Sequence, residues 1–399
     1  MSLPTVSDAL ALMLAEVSPL PGQSVPVALA DGRWLLKDVA ATRDQPPFDA
    51  SAMDGWAVRS SDVKTAASLT IVGESAAGRR ADVVLQNGET VRIFTGAPLP
   101  EGADRVVIQE NARQRGDLLD CGPVGSAPPH IRARGCDFRE GETLLSAGQR
   151  LNPWRLALAA SAGAGDLQCG FRPRVAILAT GDELIEPGDP MGPCQIYNSG
   201  TPSLGAFVAR HGGEAVRLAV AGDSEAAIVE AANGVEFDIL VTIGGASVGD
   251  HDLVKPALKS QGAVLHVEGV AMRPGKPVWF GVLADGRPVL GLPGNPASAL
   301  VCAELFLAPL LARLQGGQAE DRFGTAILAN DLPANGPRDH YIRAHVAPGP
   351  NGARLATAFA NQDSSLVSVM AAANALIRRL PDAPAVSAGG VVSVLGPTL

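Results

Sequence analysis

The regular alternation of apolar segments between residues 173 and 314 constrains the fold of this chain more than any other feature. Buried-strand runs at 174–180 and 237–243 alternate with stretches of helical composition at 201–211 and 224–232. Strands and helices in this order form an α/β sheet with mainly parallel strands. The same pattern predicts a strand at 215–221, a helix at 253–259, strands at 264–270, 278–282 and 289–292, and a long helix at 297–314.

The rest of the chain predicts smaller units around this sheet. Residues 41–141 contain short apolar runs between Gly and Pro and have little helical periodicity, which predicts an inserted β module. Residues 1–40 and 142–172 contain helix-forming segments, and we expect them to pair as a split helical domain. Residues 317–399 predict a C-terminal β domain of the barrel type. The expected fold class is therefore a multidomain α/β protein with a three-layer α/β domain at 173–316.

Composition excludes several function classes. The formal net charge is −9 and no long Lys or Arg run occurs, which argues against a nucleic-acid partner. The five cysteines are odd in number and lack a CxxC pair, which disfavours a disulfide framework and a zinc site. The N-terminus lacks a basic region followed by an apolar one, and Gly and Pro interrupt the longest uncharged run. We expect a cytoplasmic protein with no membrane partner.

Four loops rich in Gly or Pro, at 180–183, 244–252, 272–277 and 292–298, adjoin the predicted strands. In open α/β sheets, ligands bind beyond the carboxyl ends of the strands, where loops lead into helix N-termini. Gly244, Gly245 and Gly249 permit positive φ angles, so that backbone N–H groups can approach an oxyanion. A plain turn is the alternative, because neither GxGxxG nor GxxxxGK[ST] is present.

Several side chains in these loops suit an anion or a metal. Asp250 and Asp252 are hard oxygen ligands of the kind that hold Mg²⁺, although Asp252 would equally serve as a helix N-cap. Lys276, one of five lysines, lies in a stiff loop that presents its charge to an anion, and Arg273 adds to the positive field; a solvated turn lysine is the alternative. Ser298 begins the long helix, where its hydroxyl can contact an anion or cap the helix.

The β module carries polar segments whose default roles are structural. Asp54 precedes a glycine, as turn aspartates do, and Arg134 with Asp137 suits a surface ion pair that contributes little. Two prolines fix the backbone after Thr95, which has a cost unless the loop's shape matters. The six histidines show no metal-ligand spacing, and no Ser or Cys nucleophile motif occurs.

Taken in order, these motifs resemble the MoeA family of molybdopterin molybdenumtransferases and the E domain of gephyrin. The resemblance rests on Ser-Ala-Met-Asp-Gly-Trp-Ala at 51–57, Thr-Gly-Ala-Pro at 95–98, Thr-Gly-Asp-Glu at 180–183, Gly-Gly-Ala-Ser-Val-Gly-Asp-His-Asp at 244–252, Arg-Pro-Gly-Lys-Pro at 273–277 and Leu-Pro-Gly-Asn-Pro-Ala-Ser at 292–298. It spans nearly the whole chain. It implies a transferase of molybdenum cofactor biosynthesis that inserts molybdate into adenylylated molybdopterin, releases AMP and uses Mg²⁺.

The resemblance also implies an elongated homodimer of four-domain subunits, with transient contacts to the adenylyltransferase and to downstream molybdoenzymes. The 173–316 unit would then be the molybdopterin-binding domain. Residues of the β module, Asp54, Thr95, Arg134 and Asp137, would reach the cleft from the partner subunit.

The implied site residues fall into groups. Those that bind the pterin and its phosphates would be Thr95, Arg134, Asp137, Thr180, Gly181, Asp223, Gly244, Gly245, Ser247, Gly249, Pro293 and Pro296. Those that bind molybdate would be Arg273, Lys276, Ser298, Arg338 and Ser364. The catalytic residues would be Glu183, Asp252, Asp54 and Lys276, and the metal ligands Glu183, Asp250 and Asp252.

Two alternatives belong to other classes. One is a scaffold or partner-binding module of the gephyrin E type, but nothing here resembles an added interaction linker. The other is a CinA-like nucleotide-processing enzyme, which the segments at 51–54 and 95–98 argue against. Molybdate and tungstate are nearly equal in size and charge, so the sequence does not distinguish them.

Overall fold

The structure is a computed structural model that describes residues 3–222, 224–245, 253–318 and 321–396. Helix α1, Val6–Ala15, begins after Thr5, whose Oγ1 accepts a hydrogen bond of 3.1 Å from the Asp8 N–H. It is followed by strand β1, Gly22–Pro26, a 3₁₀ turn at Val27–Leu29, and the short strand β2, Val39–Ala40.

The inserted module is built from strands, as predicted. Its strands are β3 Ala50–Ser51, β4 Gly55–Val58, β5 Ala67–Ser75, β6 Glu89–Ile93, β7 Arg105–Ile108, β8 Ala112–Arg115, β9 Leu118–Cys121 and β10 Ile131–Arg132, with 3₁₀ turns at Ser60–Val63 and Gln109–Asn111. Six of them form one sheet in the order β7-β4-β6-β5-β9-β8, and β3 pairs with β10. A Cβ at Gly55 would overlap the Val107 carbonyl, so that only glycine fits where β4 meets β7.

Strand pairs connect the two sides of this insertion. The chain leaves the module through β11, Thr143–Leu145, helix α2, Pro153–Ser161, and β12, Asp166–Gly170. β12 pairs antiparallel with β1, and β11 with β2. Leu35, Leu151, Ala159 and Leu167 form a small core between these elements.

The α/β domain contains the predicted alternation. Its elements are β13 Arg174–Ala179, β14 Leu184–Ile185, β15 Ile196–Tyr197, α3 Gly200–Arg210, β16 Glu214–Arg217, α4 Glu225–Asn233, β17 Ile239–Ile243, α5 Val254–Ser260, β18 Val264–Glu268, β19 Met272–Arg273, β20 Trp279–Val282, β21 Pro288–Leu292, α6 Pro296–Cys302 and α7 Ala308–Leu314. A π-helical turn, Ala303–Leu307, joins α6 to α7. The sheet order is β16-β13-β17-β21-β20-β18, and β20 runs antiparallel to both of its neighbours.

Apolar side chains cover both faces of this sheet. One face packs against α1, α3, α6 and α7, and the other against α4 and α5, which confirms the three-layer architecture. The segment Pro296–Leu314 has a mean hydropathy of 1.7 and the length of a membrane span, but 83% of it is buried in this core.

The position of α1 differs from the prediction. We expected it to pair with residues 142–172, but β1 and β2 make that contact, and α1 packs against β18 and α7. The physical reason is burial: Val6, Ala9 and Met13 join the core of the α/β domain. The Ala271 N–H also donates to the Pro4 carbonyl at 2.8 Å.

The C-terminal region is a closed barrel, as predicted. Its elements are β22 Phe323–Leu328, β23 Asp339–Pro348, β24 Arg354–Ala358, α8 Val367–Ala372, β25 Ala375–Arg379 and β26 Val391–Leu395. The strand order is β23-β24-β22-β26-β25, and pairing of β25 with β23 closes the ring. Outside the ring, β19 pairs parallel with β23 and so connects the α/β domain to the barrel.

Candidate functional site

The loops after the parallel strands meet at one edge of the sheet. The Thr180 N–H donates to the Ile243 carbonyl at 3.1 Å, and the Gly244 N–H donates to the Leu292 carbonyl at 3.2 Å. The carboxyl ends of β13, β17 and β21 are therefore contiguous. This is the position at which α/β sheets bind ligands.

Two glycines permit this close approach. Gly244 has φ +94°, and a Cβ there would lie 2.9 Å from the Thr180 carbonyl oxygen. Gly181 has φ +142°, and a Cβ there would overlap the carboxylate of Glu183. The Glu183 carboxylate thus lies against the backbone of the first loop.

The predicted site residues Asp223, Ser247, Gly249, Asp250 and Asp252 lie outside the described residues.

The Lys276 loop reaches the same edge because β20 is reversed. An antiparallel strand begins where its parallel neighbours end, and Lys276 lies three residues before the first residue of β20, Trp279. Gly275 has φ +105°, and a Cβ there would overlap Cys302 Sγ. The loop is therefore pressed against the long helix that carries Ser298.

This loop forms one wall of a cleft of about 390 Å³ between the α/β domain and the barrel. All five residues predicted to bind molybdate line it, together with the predicted Pro293: Arg273, Lys276, Ser298, Arg338 and Ser364. Ser298 is only 4% exposed, in the first turn of α6, where unpaired backbone N–H groups favour an anion. Pro296 begins this helix.

Three further residues line the cleft that sequence reasoning missed: His340, Gln362 and Asp363. Burial, with Arg273, Arg338, Arg343 and Arg379 nearby, lowers the pKa of His340 to about 4. This histidine follows Arg338 by two residues, but only the pairing of β19 with β23 places it beside Arg273.

The two residues before Ser364 have defined partners. The Ser365 N–H and hydroxyl donate to Asp363 and hold the pKa of that carboxyl below its usual range. Gln362 exchanges hydrogen bonds with the backbone of the buried Arg343, at 2.9 and 3.0 Å. Their adjacency to Ser364 was the signal that could have identified them.

The β module brings a second group of predicted residues together. The Thr95 N–H and Oγ1 donate to Asp54 Oδ1 at 2.7 and 2.8 Å. The backbone hydrogen bond first, and then the hydroxyl, lower the pKa of the Asp54 carboxyl. Asp54 is therefore a surface carboxylate held ionised in a fixed position.

Arg134 and Asp137 lie on the same module but are not paired with each other in the way the sequence suggested. Arg134 Nε contacts Asp44 Oδ2 at 2.5 Å, and its N–H donates to Asp49. The N–H of Asp137 donates to the Gln45 carbonyl, and Asp137 lines a cavity of about 520 Å³ that is formed by residues between 43 and 137. This cavity is separate from the Lys276 cleft, whose lining spans 272–364.

The metal prediction concerns three carboxylates, Glu183, Asp250 and Asp252. Within the described part of the chain, no group of three or more His, Cys, Asp or Glu side chains has the arrangement of a metal site. Of the three predicted ligands, only Glu183 is described. Glu183 is an exposed residue, and its carboxylate offers the hard oxygen donors that Mg²⁺ prefers.

Family models match three consecutive parts of the chain. They are described as MoeA N-terminal region (domain I and II) at residues 4–163, probable molybdopterin binding domain at 176–313, and MoeA C-terminal region (domain IV) at 325–396.

Curated relatives and solved structures agree with these matches. A molybdopterin molybdenumtransferase of Nostoc sp. is 36% identical over 85% of this chain and 81% of its own, and one of Staphylococcus aureus is 30% identical over 98% and 94%. The crystal structure of the molybdopterin biosynthesis MoeA protein of Pyrococcus horikoshii is similar with a TM-score of 0.78 and 28% identity, covering 99% of this chain and 100% of that one.

Proposed function

This chain belongs to the MoeA family of molybdopterin molybdenumtransferases, and we propose that it inserts molybdate into adenylylated molybdopterin at the edge of its α/β sheet, releasing AMP. The observation that carries the proposal is the cleft in which Arg273, Lys276, Arg338 and Ser298 converge. The chain is accordingly a transferase of molybdenum cofactor biosynthesis.

The chemistry of the cleft suits a tetrahedral dianion. Three cationic side chains offset its charge, and the hydroxyls of Ser298 and Ser364 with the N-terminus of α6 supply hydrogen-bond donors. Among the described residues that line this cleft, Asp363 is the one carboxylate. The positive charge is therefore local, which allows an acidic protein to bind molybdate.

The pterin and its phosphates would occupy the adjoining loops. Thr180, Gly181, Gly244 and Gly245 present backbone that approaches closely at the ends of β13 and β17. N–H groups in such loops bind phosphate oxygens. Because these loops adjoin Pro293, which also lines the cleft, a phosphate bound there would lie beside the molybdate.

We assign Mg²⁺ to the same edge, held by Glu183 with Asp250 and Asp252. When bound, the ion would neutralise phosphate charge during cleavage of the anhydride. The protein's own part is to orient the substrate and to polarise the leaving phosphate through backbone N–H groups. This accords with the absence of a nucleophile motif from the sequence.

We further propose that the protein works as a cytoplasmic homodimer. Asp54 and Thr95 are fixed on the β module, whereas Lys276 and Ser298 lie in a separate cleft of the same chain. A partner subunit could bring its β module to this cleft and complete it. Contacts with the adenylyltransferase and with downstream molybdoenzymes would then be transient.

The test is reconstitution. Purified protein, adenylylated molybdopterin, molybdate and Mg²⁺ should release AMP and yield a cofactor that activates a cofactor-free molybdoenzyme. Omitting molybdate should abolish activation. Replacing molybdate with tungstate measures the selectivity of the site between these two anions. AMP release and activation that do not depend on this protein would refute the proposal.

The alternatives lack a supporting observation. A CinA-like enzyme does not account for the matches at residues 4–163 and 325–396, and no feature of the described surface indicates a scaffold.

A further inference from the structure

A row of basic side chains crosses from the Lys276 loop into the barrel, with His340 at its centre. Arg273 of β19 lies opposite His340 of β23, and His340 lies opposite Arg379 of β25. Side chains at directly opposed positions lie on the same face of a sheet. Arg273 and His340 both line the cleft, so one end of the row faces the bound anion.

Among the described residues this row contains no carboxylate. Asp339 of β23 pairs with Arg378 of β25 at 3.3 Å, but it lies on the opposite face of the sheet from His340 because alternate residues of a strand point in opposite directions. Arg379 is 4% exposed, donates to the carbonyls of Ala383 and Pro384, and its Nη1 has no partner within the described residues. Among those residues the His340 imidazole forms no hydrogen bond.

We propose that His340 takes up a proton when the cleft binds a dianion, and that the imidazolium so formed donates a hydrogen bond to an oxygen of that anion. This inference rests on the proposed function, since it concerns the same molybdate cleft. His340 would thus be a binding residue whose proton makes the cleft selective for doubly charged anions. A singly charged anion offsets less of the surrounding positive charge and would not hold the proton.

Electrostatics determines the direction of the effect. The charges around His340 are Arg273 and Lys276 from the loop, Arg338, Asp339 and Arg343 from its own segment, Arg378 and Arg379 from β25, and Asp363 from the cleft wall. In the free protein, burial and then the guanidinium groups hold the pKa of His340 at about 4, so it is neutral at pH 7. A dianion cancels part of this field and raises the pKa. Binding then takes up protons, and affinity falls as the pH rises through the raised pKa.

The experiment is calorimetric titration of the full-length protein with sodium molybdate in buffers of different ionisation enthalpy, between about pH 6 and 8. We expect the wild type to take up a fraction of a proton per anion, rising toward one as the pH falls. Affinity should weaken by at most about tenfold per pH unit. His340→Gln should bind molybdate without proton uptake and with pH-independent affinity. The matched control is His345→Gln, an exposed position on the same strand, which should behave as the wild type.

The outcomes separate this inference from the proposed function. Equal proton uptake in His340→Gln, or molybdate binding without uptake in the wild type, overturns the role of His340 and leaves the molybdate site intact. Failure of the wild type to bind molybdate at all overturns the site and the inference together. The wild-type measurement stands even if the His340 variant folds poorly. Sulfate, a dianion that does not itself titrate in this range, should show the same uptake where it binds.

Discussion

Asn295 Nδ2 donates a hydrogen bond of 3.0 Å to Ser364 Oγ and so connects the N-terminal end of α6 to the C-terminal domain. Asn295 precedes the helix that carries Ser298, and Ser364 lies 69 residues further along the chain. Both line the Lys276 cleft. The cleft therefore depends on the docking of two regions, which the pairing of β19 with β23 also maintains.

Lys276→Ala should raise the molybdate concentration needed for cofactor formation and leave pterin binding nearly unchanged, because it removes one charge from the anion cleft. The loss of a charge-assisted hydrogen bond, about 1.5–3 kcal/mol, corresponds to a roughly 10- to 100-fold weaker apparent affinity. The measurement is cofactor formation against molybdate concentration, with pterin binding followed separately. Lys259→Ala is the control, since Lys259 lies on α5 beside Glu268. Lost pterin binding with unchanged molybdate dependence would contradict the assignment.

The longer elements of the α/β domain were predictable because buried strands and amphipathic helices have distinct periods, whereas the two-residue strands β14, β15 and β19 were not predicted. The predicted helix at 297–314 corresponds to α6, the π turn and α7, within one residue. The reversal of β20 was not predictable, because strand direction depends on neighbours and not on composition. The position of α1 was not predictable either, because its apolar face could pack against either domain.

Gly275→Ala should destabilise the protein more than Gly78→Ala. Both glycines have positive φ, which costs an alanine about 1–2 kcal/mol, but an added Cβ meets nothing at Gly78 and overlaps Cys302 Sγ at Gly275. Overpacking of this kind costs about 1–3 kcal/mol more. Thermal unfolding should show a lower midpoint for Gly275→Ala, with weakened molybdate binding. Equal midpoints for the two variants would mean that the loop relaxes freely.

Glu183→Gln should accumulate bound adenylylated pterin in a folded protein, because the amide keeps the shape of the side chain and removes its charge. Mass spectrometry of small molecules released from the purified variant, together with an AMP-release assay over a range of Mg²⁺ concentrations, measures this. Asp189→Asn provides the control, since Asp189 lies in the following loop and contacts Tyr197 through its backbone carbonyl. Normal Mg²⁺-dependent AMP release by Glu183→Gln would remove Glu183 from the catalytic set.

Thr95→Val should raise the pKa of Asp54 toward its usual value, because one of the two hydrogen bonds to the carboxylate is lost and the backbone bond remains. A lowered pKa favours the charged form. The Asp54 carboxylate and its two hydrogen bonds are therefore present at neutral pH, and they are lost as the pH falls through the pKa of the folded state. The acid limb of the activity profile should therefore move to higher pH in Thr95→Val. Thr95→Ser retains the hydroxyl and should keep the wild-type limb.

The site residues that lie in short sequence motifs were predictable, and those that are brought together by strand pairing were not. Arg273, Lys276 and Ser298 belong to the short motifs at 273–277 and 292–298, and the structure places them in one cleft. His340 and Gln362 have no motif of their own, because their proximity to Arg273 and Arg343 arises from strand register and loop packing.

The final prediction concerns a site shared between subunits. If Asp54 reaches the Lys276 cleft of the partner subunit, a mixed dimer of Asp54→Asn and Lys276→Ala chains has one doubly damaged site and one intact site. At a molybdate concentration too low for Lys276→Ala homodimers to form cofactor, isolated heterodimers of the two variants should then recover up to about half of the wild-type activity, since independent sites work unaided. A mixture of Lys276→Ala and Ser298→Ala chains is the control: both residues line the same cleft, so each of its two sites carries one substitution and no activity returns. Heterodimers of the first pair with no activity above either parent would indicate instead that each cleft is built within one chain.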